Sequence, residues 1–314
     1  MSLTPIIQVR NLKKYYNPGK ASEVRAVDDI SFDIYEGETF GLVGESGSGK
    51  STTGKVLMKL EDFTGGSITF LGKDYAVHKS RSELLGFRKN IQMVFQDPYA
   101  SLNPRMTVKE TIGGPLKVHK MVKSKEELNT IVYDLLDKVG LSKSFANRYP
   151  KEFSGGQCQR IGIARALAVS PRFIIADEAI SALDVSIQAQ IVNLLRKLKE
   201  EEKLTYLFIA HDLAMVKYIC NRIAVMHNGK ILELSTSDEI YHRPLHAYTE
   251  SLLSAIPEPD PRSEKERKRI DYAGDTVYTL EDNPDLYEIL PGHFVYCSEA
   301  EIPVYQQKYK KYED

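Results

Sequence analysis

The sequence predicts an α/β fold built on a buried parallel sheet, and three observations support this. Short apolar runs of strand length alternate with longer stretches of helical periodicity. Three of the runs, at 91–95, 173–176 and 206–210, are almost continuously apolar, with Gln92 the one polar side chain of amide type, as strands are when helices cover both faces of their sheet. A fourth run, at 39–43, leads into a glycine-rich segment that ends in Gly-Lys-Ser. We therefore expect a parallel sheet whose loops carry the chemistry.

The glycine-rich segment 44–51, here called the phosphate loop, fits G-x-x-x-x-G-K-[ST] at every fixed position. A strand, this turn and a helix beginning at Lys50 would aim backbone N–H groups at one point, which suits a di- or triphosphate. Lys50 would reach the β- and γ-phosphates, and the Ser51 hydroxyl would bind Mg²⁺. A chance glycine-rich turn is the alternative, and the placement between a strand and a helix argues against it. The predicted nucleotide-binding residues are Gly44, Ser46, Gly47, Gly49, Lys50, Ser51 and Thr52.

Polar residues follow the other buried runs directly. In an open α/β sheet, residues just past the carboxyl ends of the strands line the ligand crevice, so Gln96, Asp177 and His211 should converge near the phosphate loop. Asp177 would hold Mg²⁺ through water, and Glu178 would orient or deprotonate the attacking water. An acidic pair at a strand end is often only a solvated turn, but its pairing with a phosphate loop favours the chemical role.

The remaining segments indicate the organisation of the chain. Residues 97–165 are expected to form a mostly helical subdomain, in which Ser124 and Glu127 match a capping box and apolar residues recur at helical spacing as far as Gly140. Residues 227–230 predict a tight hairpin turn between two strand-like runs.

A proline-rich run at 257–261 and a charged run at 262–269 introduce a tyrosine-rich tail. We therefore expect a main domain over 1–256 and a C-terminal extension over 257–314.

Composition excludes several classes of protein. Lys and Arg number 42 against 43 Asp and Glu, which gives a formal net charge of -1. The protein as a whole therefore has no positive electrostatic field that would attract nucleic acid or anionic lipid. The N-terminus lacks the pattern of a signal peptide, and no apolar run approaches the ~18 residues of a membrane span. The cysteines, three in number and widely separated, fit a reducing cytosol. We expect an intracellular protein that reaches a membrane only through partners.

A serine and two glycines stand at a predicted helix start in Phe153-Ser154-Gly155-Gly156-Gln157. Backbone N–H groups and a hydroxyl at this position suit an anion, although alone the pattern is that of an ordinary N-cap. Ser-Ala-Leu-Asp at 181–184 and His-Asp-Leu at 211–213 follow in the chain. Together with the phosphate loop and the acidic pair, this ordered set resembles that of ATP-binding-cassette (ABC) ATPases over about residues 6–235.

The resemblance implies a P-loop NTPase fold of the ABC type, with a parallel core sheet, an antiparallel β subdomain, the inserted helical subdomain and the C-terminal extension. It implies ATP and Mg²⁺ as ligands. It also implies Glu178 as catalytic base, His211 as a switch at the γ-phosphate, and Gln96 as a contact to metal, water and transporter. Ser51 and Asp177 are the further metal residues. The residues implied at the partner subunit's nucleotide or across the dimer are Ser154, Gly155, Gly156, Gln157 and Asp184.

Two positions leave alternatives open. Tyr16 matches the aromatic residue on which adenine stacks, and Tyr15 is the alternative in a register shifted by one; either could simply pack on a strand. Cys158 stands where a larger polar residue is usual. Near a helix N-terminus its thiol could have a lowered pKa and be reactive, or it could be buried and inert.

Three further segments, at 96–107, 244–257 and 291–297, resemble the ATP-binding subunits of oligopeptide and dipeptide importers, in particular the subunit usually called F. This implies a heterodimer with a second, related ATP-binding subunit and two ATP molecules at the interface. It also implies two permease subunits, an extracytoplasmic peptide-binding protein, a peripheral position at the cytoplasmic face of the membrane, and no nucleic acid. An importer of nickel or another small solute is the alternative.

Many relatives in this branch hold an iron–sulfur cluster through several cysteines of the extension. Here Cys297 is the only cysteine of that region, and one thiolate cannot hold such a cluster, so we expect none. We expect the nearby His293 to be a surface histidine rather than a ligand.

Overall fold

The computed structural model describes residues 4–75, 80–257, 269–274 and 276–312. The proline-rich run at 257–261 and the charged run at 262–269 lie outside the described residues except for Pro257 and Arg269. Among the described residues, no helix combines the length and the apolar character needed to cross a bilayer.

The strands lie close to the predicted runs. In chain order they are β1 (Pro5–Tyr16), β2 (Val24–Tyr35), β3 (Thr39–Val43), β4 (Gly65–Phe70), β5 (Lys73–Asp74), β6 (Ile91–Val94), β7 (Phe173–Asp177), β8 (Thr205–Ala210), β9 (Arg222–His227), β10 (Lys230–Thr236), β11 (Asp285–Leu290) and β12 (His293–Cys297). The helices are α1 (Lys50–Leu57), α2 (Arg81–Asn90), α3 (Val108–Val118), α4 (Lys125–Lys138), α5 (Gly155–Leu167), α6 (Val185–Glu202), α7 (Leu213–Val216), α8 (Ser237–His242), α9 (Ala247–Ser254) and α10 (Ile302–Lys310).

The larger sheet has eight strands in the order β11-β12-β10-β9-β3-β8-β7-β6. The five strands from β9 to β6 are parallel, as the continuous apolar runs predicted. Every residue of β3, β7 and β8 is buried, and alternate residues of a strand enter opposite layers of core. Phe173 and Ile175 face one layer, and Ile174 and Ala176 face the other, which includes the helical subdomain.

A four-stranded antiparallel sheet, ordered β2-β1-β4-β5, covers one of these layers. Its contact with the larger sheet includes a stacked pair of rings, Phe32 on β2 and Phe40 on β3, whose centroids lie 5.3 Å apart. Because Ala26 on β2 lies against Gly49 of the phosphate loop, this sheet supplies one wall of the site described below.

The helical insert consists of α3, α4 and the first part of α5. All residues between 95 and 172 are described, and none lies in a strand. Gly140, with φ +70°, follows the end of α4 as predicted. The predicted capping box is only half formed. The Ser124 hydroxyl accepts from Glu127 N–H, but the Glu127 carboxylate accepts from the backbone of Lys123 instead of that of Ser124.

The predicted hairpin turn joins β9 to β10, with Asn228 at φ 45° and Gly229 at φ 82°. Sequence reasoning missed the strands that follow. In the extension, β11 and β12 form a hairpin, and β12 pairs antiparallel with β10. The extension therefore continues the main sheet rather than forming a separate layer.

The expectation of a surface His293 is wrong. Its side chain is 2% exposed, and its Nε2 lies 2.7 Å from an oxygen of the fully buried Glu233 on β10. That carboxylate also accepts from the backbone N–H groups of Leu245 and His246, at 2.8 and 3.0 Å. The reason for the error is the strand pairing of β12 with β10, which puts His293 beside a partner 60 residues earlier in the chain.

Candidate functional site

The phosphate loop connects β3 to α1 and depends on glycine at two close approaches. Gly44 and Gly49 adopt φ values of 151° and 106°, which residues with side chains rarely adopt. A Cβ at Gly44 would lie 2.0 Å from the carbonyl oxygen of Met226, and one at Gly49 would lie 2.0 Å from that of Ala26. The loop therefore fits between β2 and the end of β9 only when these positions lack side chains.

Lys50 begins α1 and turns back into the loop. It is 3% exposed, and its Nζ donates to the carbonyl of Glu45 at 2.7 Å and to the Ser48 hydroxyl at 3.1 Å. An ammonium group has three donors, so one remains for an anion in the loop. Burial lowers the pKa of Lys50, while the carboxylates of Glu178 and Asp177 oppose that shift.

The second residue of α1 contacts the end of β7. Ser51 Oγ donates to Asp177 Oδ1 at 2.8 Å. Burial raises the pKa of Asp177, the Ser51 hydrogen bond acts in the opposite direction, and the neighbouring charge of Glu178 raises it further. The hydroxyl and carboxylate, with the amide oxygen of Gln96, are hard oxygen donors of the kind that Mg²⁺ binds, so the residues present fit this ion.

Three strand ends meet at Glu178. Gln96, after β6, donates from Nε2 to Glu178 Oε2 at 2.7 Å, and His211 Nδ1, after β8, lies 3.4 Å from the same oxygen. Glu178 itself has φ 46°, and its N–H donates to the carbonyl of Ile209 on β8. Glu178 thus lies in a left-handed turn, with one carboxylate oxygen next to both Gln96 and His211.

These elements surround a cleft of about 420 Å³. Many of the predicted residues line it: Ser46, Gly47, Gly49, Lys50, Ser51, Thr52, Gln96 and Glu178. Four residues that the sequence did not single out also line it: Val24, Arg25, Ala26 and Asn228. They come from the start of β2 and the β9–β10 turn, segments whose approach to the phosphate loop depends on the packing of the two sheets.

Both candidate tyrosines lie at the end of β1, paired with the cleft-lining start of β2. Tyr16 is 36% exposed, and its hydroxyl donates to Glu61. Burial raises the pKa of this hydroxyl, and the nearby side chain of Thr52, in the cleft wall, acts in the opposite direction. The Tyr15 hydroxyl donates to Asp28, and its ring lies under the Arg25 guanidinium. The exposed ring beside Thr52 makes Tyr16 the better placed of the two.

The serine-glycine segment lies apart from this cleft. Ser154 is the N-cap of α5, and its backbone and hydroxyl exchange hydrogen bonds with Gln157 in a capping box. A Cβ at Gly156 would lie 2.6 Å from the Ile187 side chain, and Asp184 is the N-cap of α6. Neither helix start lines the cleft that the described residues form around the phosphate loop.

The reactive alternative for Cys158 is wrong. The side chain is fully buried, its Sγ lies 3.5 Å from the carbonyl oxygen of Pro150, and burial raises the pKa of the thiol to about 11. Cys158 is the fourth residue of α5 and lies on the face that packs into the helical core, away from the free N–H groups at the helix start.

Sequence reasoning also missed a contact from the C-terminal part of the chain. The Tyr248 hydroxyl, on α9, accepts a hydrogen bond from Glu45 N–H in the phosphate loop at 3.1 Å. The two residues are 203 positions apart, so no local pattern could reveal the contact.

Comparison with known proteins agrees with this geometry. A family model described as "ABC transporter" matches residues 27–181, and one described as "Oligopeptide/dipeptide transporter, C-terminal region" matches residues 232–282. The oligopeptide transport ATP-binding protein OppF of Streptococcus mutans is 58% identical, with 96% of this chain and 98% of that protein covered. OppF of Bacillus subtilis is 57% identical over the same shares.

The dipeptide transport ATP-binding protein DppF of Lactococcus lactis is 55% identical, covering 96% of this chain and 97% of that protein. Among solved structures, the dimeric post-hydrolysis state of the ATP-binding cassette MJ0796 bound to ADP and phosphate matches with a TM-score of 0.67. It is 31% identical and covers 74% of this chain and 98% of its own. These matches confirm the predicted fold class.

Proposed function

The chain belongs to the ABC transporter family, in the branch of oligopeptide and dipeptide transport ATP-binding proteins, and from this we propose that it binds and hydrolyses ATP to power import of oligopeptides or dipeptides. The observation that carries the proposal is one cleft lined by Lys50, Ser51, Gln96 and Glu178. Asp177 accepts a hydrogen bond from Ser51 directly behind the lining. We propose residues 1–256 as the ATPase domain and 257–314 as the extension that completes its sheet.

The phosphates of ATP would lie in the phosphate loop, against its backbone N–H groups and the remaining N–H of Lys50. Tyr16 would stack on adenine. Ser51, Asp177 and Gln96 would hold Mg²⁺, which when bound neutralises charge on the phosphate oxygens. We propose no iron–sulfur cluster, because the extension offers one thiol, that of the buried Cys297.

Glu178 would take a proton from the attacking water. Its oxygen already accepts from Gln96, so the carboxylate is held in one orientation before the nucleotide arrives. His211, half exposed beside the same oxygen, can turn toward the γ-phosphate when a subunit closes over it. Hydrolysis therefore needs both the internal network and the partner.

The start of α5 is the surface proposed for that partner. Ser154, with Gly155, Gly156 and Gln157, would bind the ATP held by a second, homologous subunit, and Asp184 would contact across the dimer. In support, the serine-glycine segment lies outside this chain's own cleft, and the matched cassette MJ0796 is described as dimeric. Two ATP molecules would lie at the interface.

The same proposal places the dimer on two permease subunits at the cytoplasmic face of the membrane, supplied with peptide by an extracytoplasmic binding protein. No nucleic acid is proposed, because the formal net charge is only -1.

The segment 97–105 is suited to pass motion between permease and cleft. The Tyr99 hydroxyl donates to the carbonyl of Phe153, directly before Ser154, at 3.0 Å, and Arg165 Nη1 donates to the carbonyl of Ser101 at 2.6 Å. The segment follows Gln96 directly in the chain and is hydrogen-bonded to Phe153, just before α5, and to Arg165 on α5. A displacement of 97–105 would therefore move both Gln96 and α5.

We predict that a cysteine at the exposed Asn103 will form crosslinks to a permease subunit in the assembled transporter, because 97–105 would form part of the groove that receives a cytoplasmic helix. A cysteine at Ser82, exposed on α2, is the control and should not crosslink. Absence of any crosslink from Asn103→Cys, with the complex intact, would contradict the groove.

We predict that Lys50→Ala will weaken ATP binding roughly 10- to 100-fold, because a charge-assisted hydrogen bond to phosphate is lost. Equilibrium binding of ATP to the purified chain measures this. Lys125→Ala, which removes an exposed charge at the start of α4, should change the affinity little. The proposed function itself fails if the wild-type chain binds no ATP, or if peptide uptake by the assembled transporter survives Lys50→Ala unchanged.

A further inference from the structure

The contact between α9 and the phosphate loop involves both ends of one loop residue. Glu45 donates its N–H to the Tyr248 hydroxyl at 3.1 Å, and its carbonyl accepts from Lys50 Nζ at 2.7 Å. The residue that orients Lys50 is therefore itself held by a side chain of the C-terminal part of the chain. Loss of the first hydrogen bond would loosen the backbone on one side of the Glu45 Cα, next to the peptide whose carbonyl accepts from Lys50.

Tyr248 is rigidly placed for this task. It is 1% exposed, and its ring lies 4.2 Å from that of His227 and 5.2 Å from that of Tyr272, measured between centroids. These rings leave the hydroxyl little freedom to move away from Glu45.

The loop has a second support nearby. The turn after His227 donates from Gly229 N–H to the carbonyl of Ser48 at 3.0 Å. The phosphate loop is thus hydrogen-bonded at Glu45 to the side chain of Tyr248 and at Ser48 to the backbone of Gly229. At Glu45 the N–H that contacts Tyr248 and the carbonyl that accepts from Lys50 belong to adjacent peptide units joined at one Cα, so the hydrogen bond with Tyr248 bears directly on the position of the ammonium group.

We propose that Tyr248 is a positioning residue for ATP binding, which acts through the backbone on either side of Glu45 on Lys50 and the phosphate loop. The proposal rests on the ATP-binding function proposed above. It gives the oligopeptide/dipeptide-type C-terminal region, whose model match includes Tyr248, a direct part in forming the nucleotide site. Without the hydroxyl, the loop would spend a smaller fraction of time in the binding-competent form, and the apparent Kd would rise in proportion.

The test is Tyr248→Phe in the full-length chain, which keeps the ring and removes only the hydroxyl. We expect the Kd for ATP to rise roughly 5- to 30-fold, the range expected when a partly buried N–H loses its acceptor. Hydrogen exchange at Glu45 N–H should become faster. In the assembled transporter, the KM for ATP should rise while kcat stays near the wild-type value.

Tyr206→Phe is the matched control. Tyr206 is fully buried in β8, and its hydroxyl has no hydrogen-bond partner among the described residues. It pairs with Thr39, at the opposite end of β3 from the phosphate loop. This variant should leave ATP affinity and exchange at Glu45 unchanged.

Wild-type values of Kd and of Glu45 exchange in Tyr248→Phe would overturn the proposal. A lowered Tm with an unchanged Kd would overturn it as well, because that is what a merely structural tyrosine would give. Both outcomes presuppose that the wild-type chain binds ATP. A wild-type chain without ATP binding would instead contradict the proposed function.

Discussion

Replacing Glu178 with glutamine should lower ATP hydrolysis at this site by ~10²–10⁴-fold, the usual contribution of a general base, while ATP binding is retained. Glutamine keeps the size of the side chain and its contact with Gln96 but cannot take a proton from water. Because bound ATP would persist, the dimer should remain closed. Single-turnover hydrolysis and the proportion of closed dimer, measured in the assembled transporter, test both parts.

Glu200→Gln, at an exposed position of α6, is the matched control and should hydrolyse ATP normally. The partner subunit has its own site, so the comparison is made per site, with the partner's activity measured separately. Hydrolysis by Glu178→Gln at the wild-type rate would show that another group acts as base.

Gly49→Ala should weaken ATP binding by about 10²-fold or more, since displacement of a binding group by about 1 Å can have an effect of that size. A Cβ at Gly49 would lie 2.0 Å from the carbonyl oxygen of Ala26, which belongs to the cleft wall. The loop or the start of β2 must then move, and Lys50 moves with the loop. Equilibrium ATP binding and thermal unfolding, measured together, show whether the site or the whole fold is affected.

Gly19→Ala provides the comparison. Gly19 has φ +77°, so alanine there is strained in a similar way, but no heavy atom lies within 4 Å of the added Cβ. We expect a loss of stability of about 1–2 kcal/mol and no change in ATP affinity. If the two variants bind ATP equally well, the close approach to Ala26 is not needed for the site.

Much of the site could be predicted because local pattern determines it. The apolar runs before Gln96, Asp177 and His211 were long enough to identify as parallel strands, and parallel strands present their carboxyl ends at one edge. The glycine spacing before Lys50 then fixed where a phosphate would lie. Each of these residues follows a strand of the parallel sheet, so its place in the sequence also gives its place at the edge of the sheet.

The remaining features depend on contacts between distant segments. His293 was expected at the surface because nothing near it in the chain indicates the buried carboxylate of Glu233. Cys158 left two alternatives, because a residue near a helix start can face either solvent or the core. Only the packing of α5 shows that Cys158 faces the core. The residues around Tyr248 in the sequence predict only an apolar helix. Its contact with the phosphate loop is to Glu45, 203 residues earlier.

The pairing of β12 with β10 has a consequence for how the chain folds during synthesis. A nascent chain ending near 256 would present β10 as an unpaired sheet edge, which is a template for aggregation. The carboxylate of Glu233 would at that stage lack its histidine partner. Until β12 has left the ribosome, the edge of β10 that it covers stays open, and the nascent chain is liable to aggregate there.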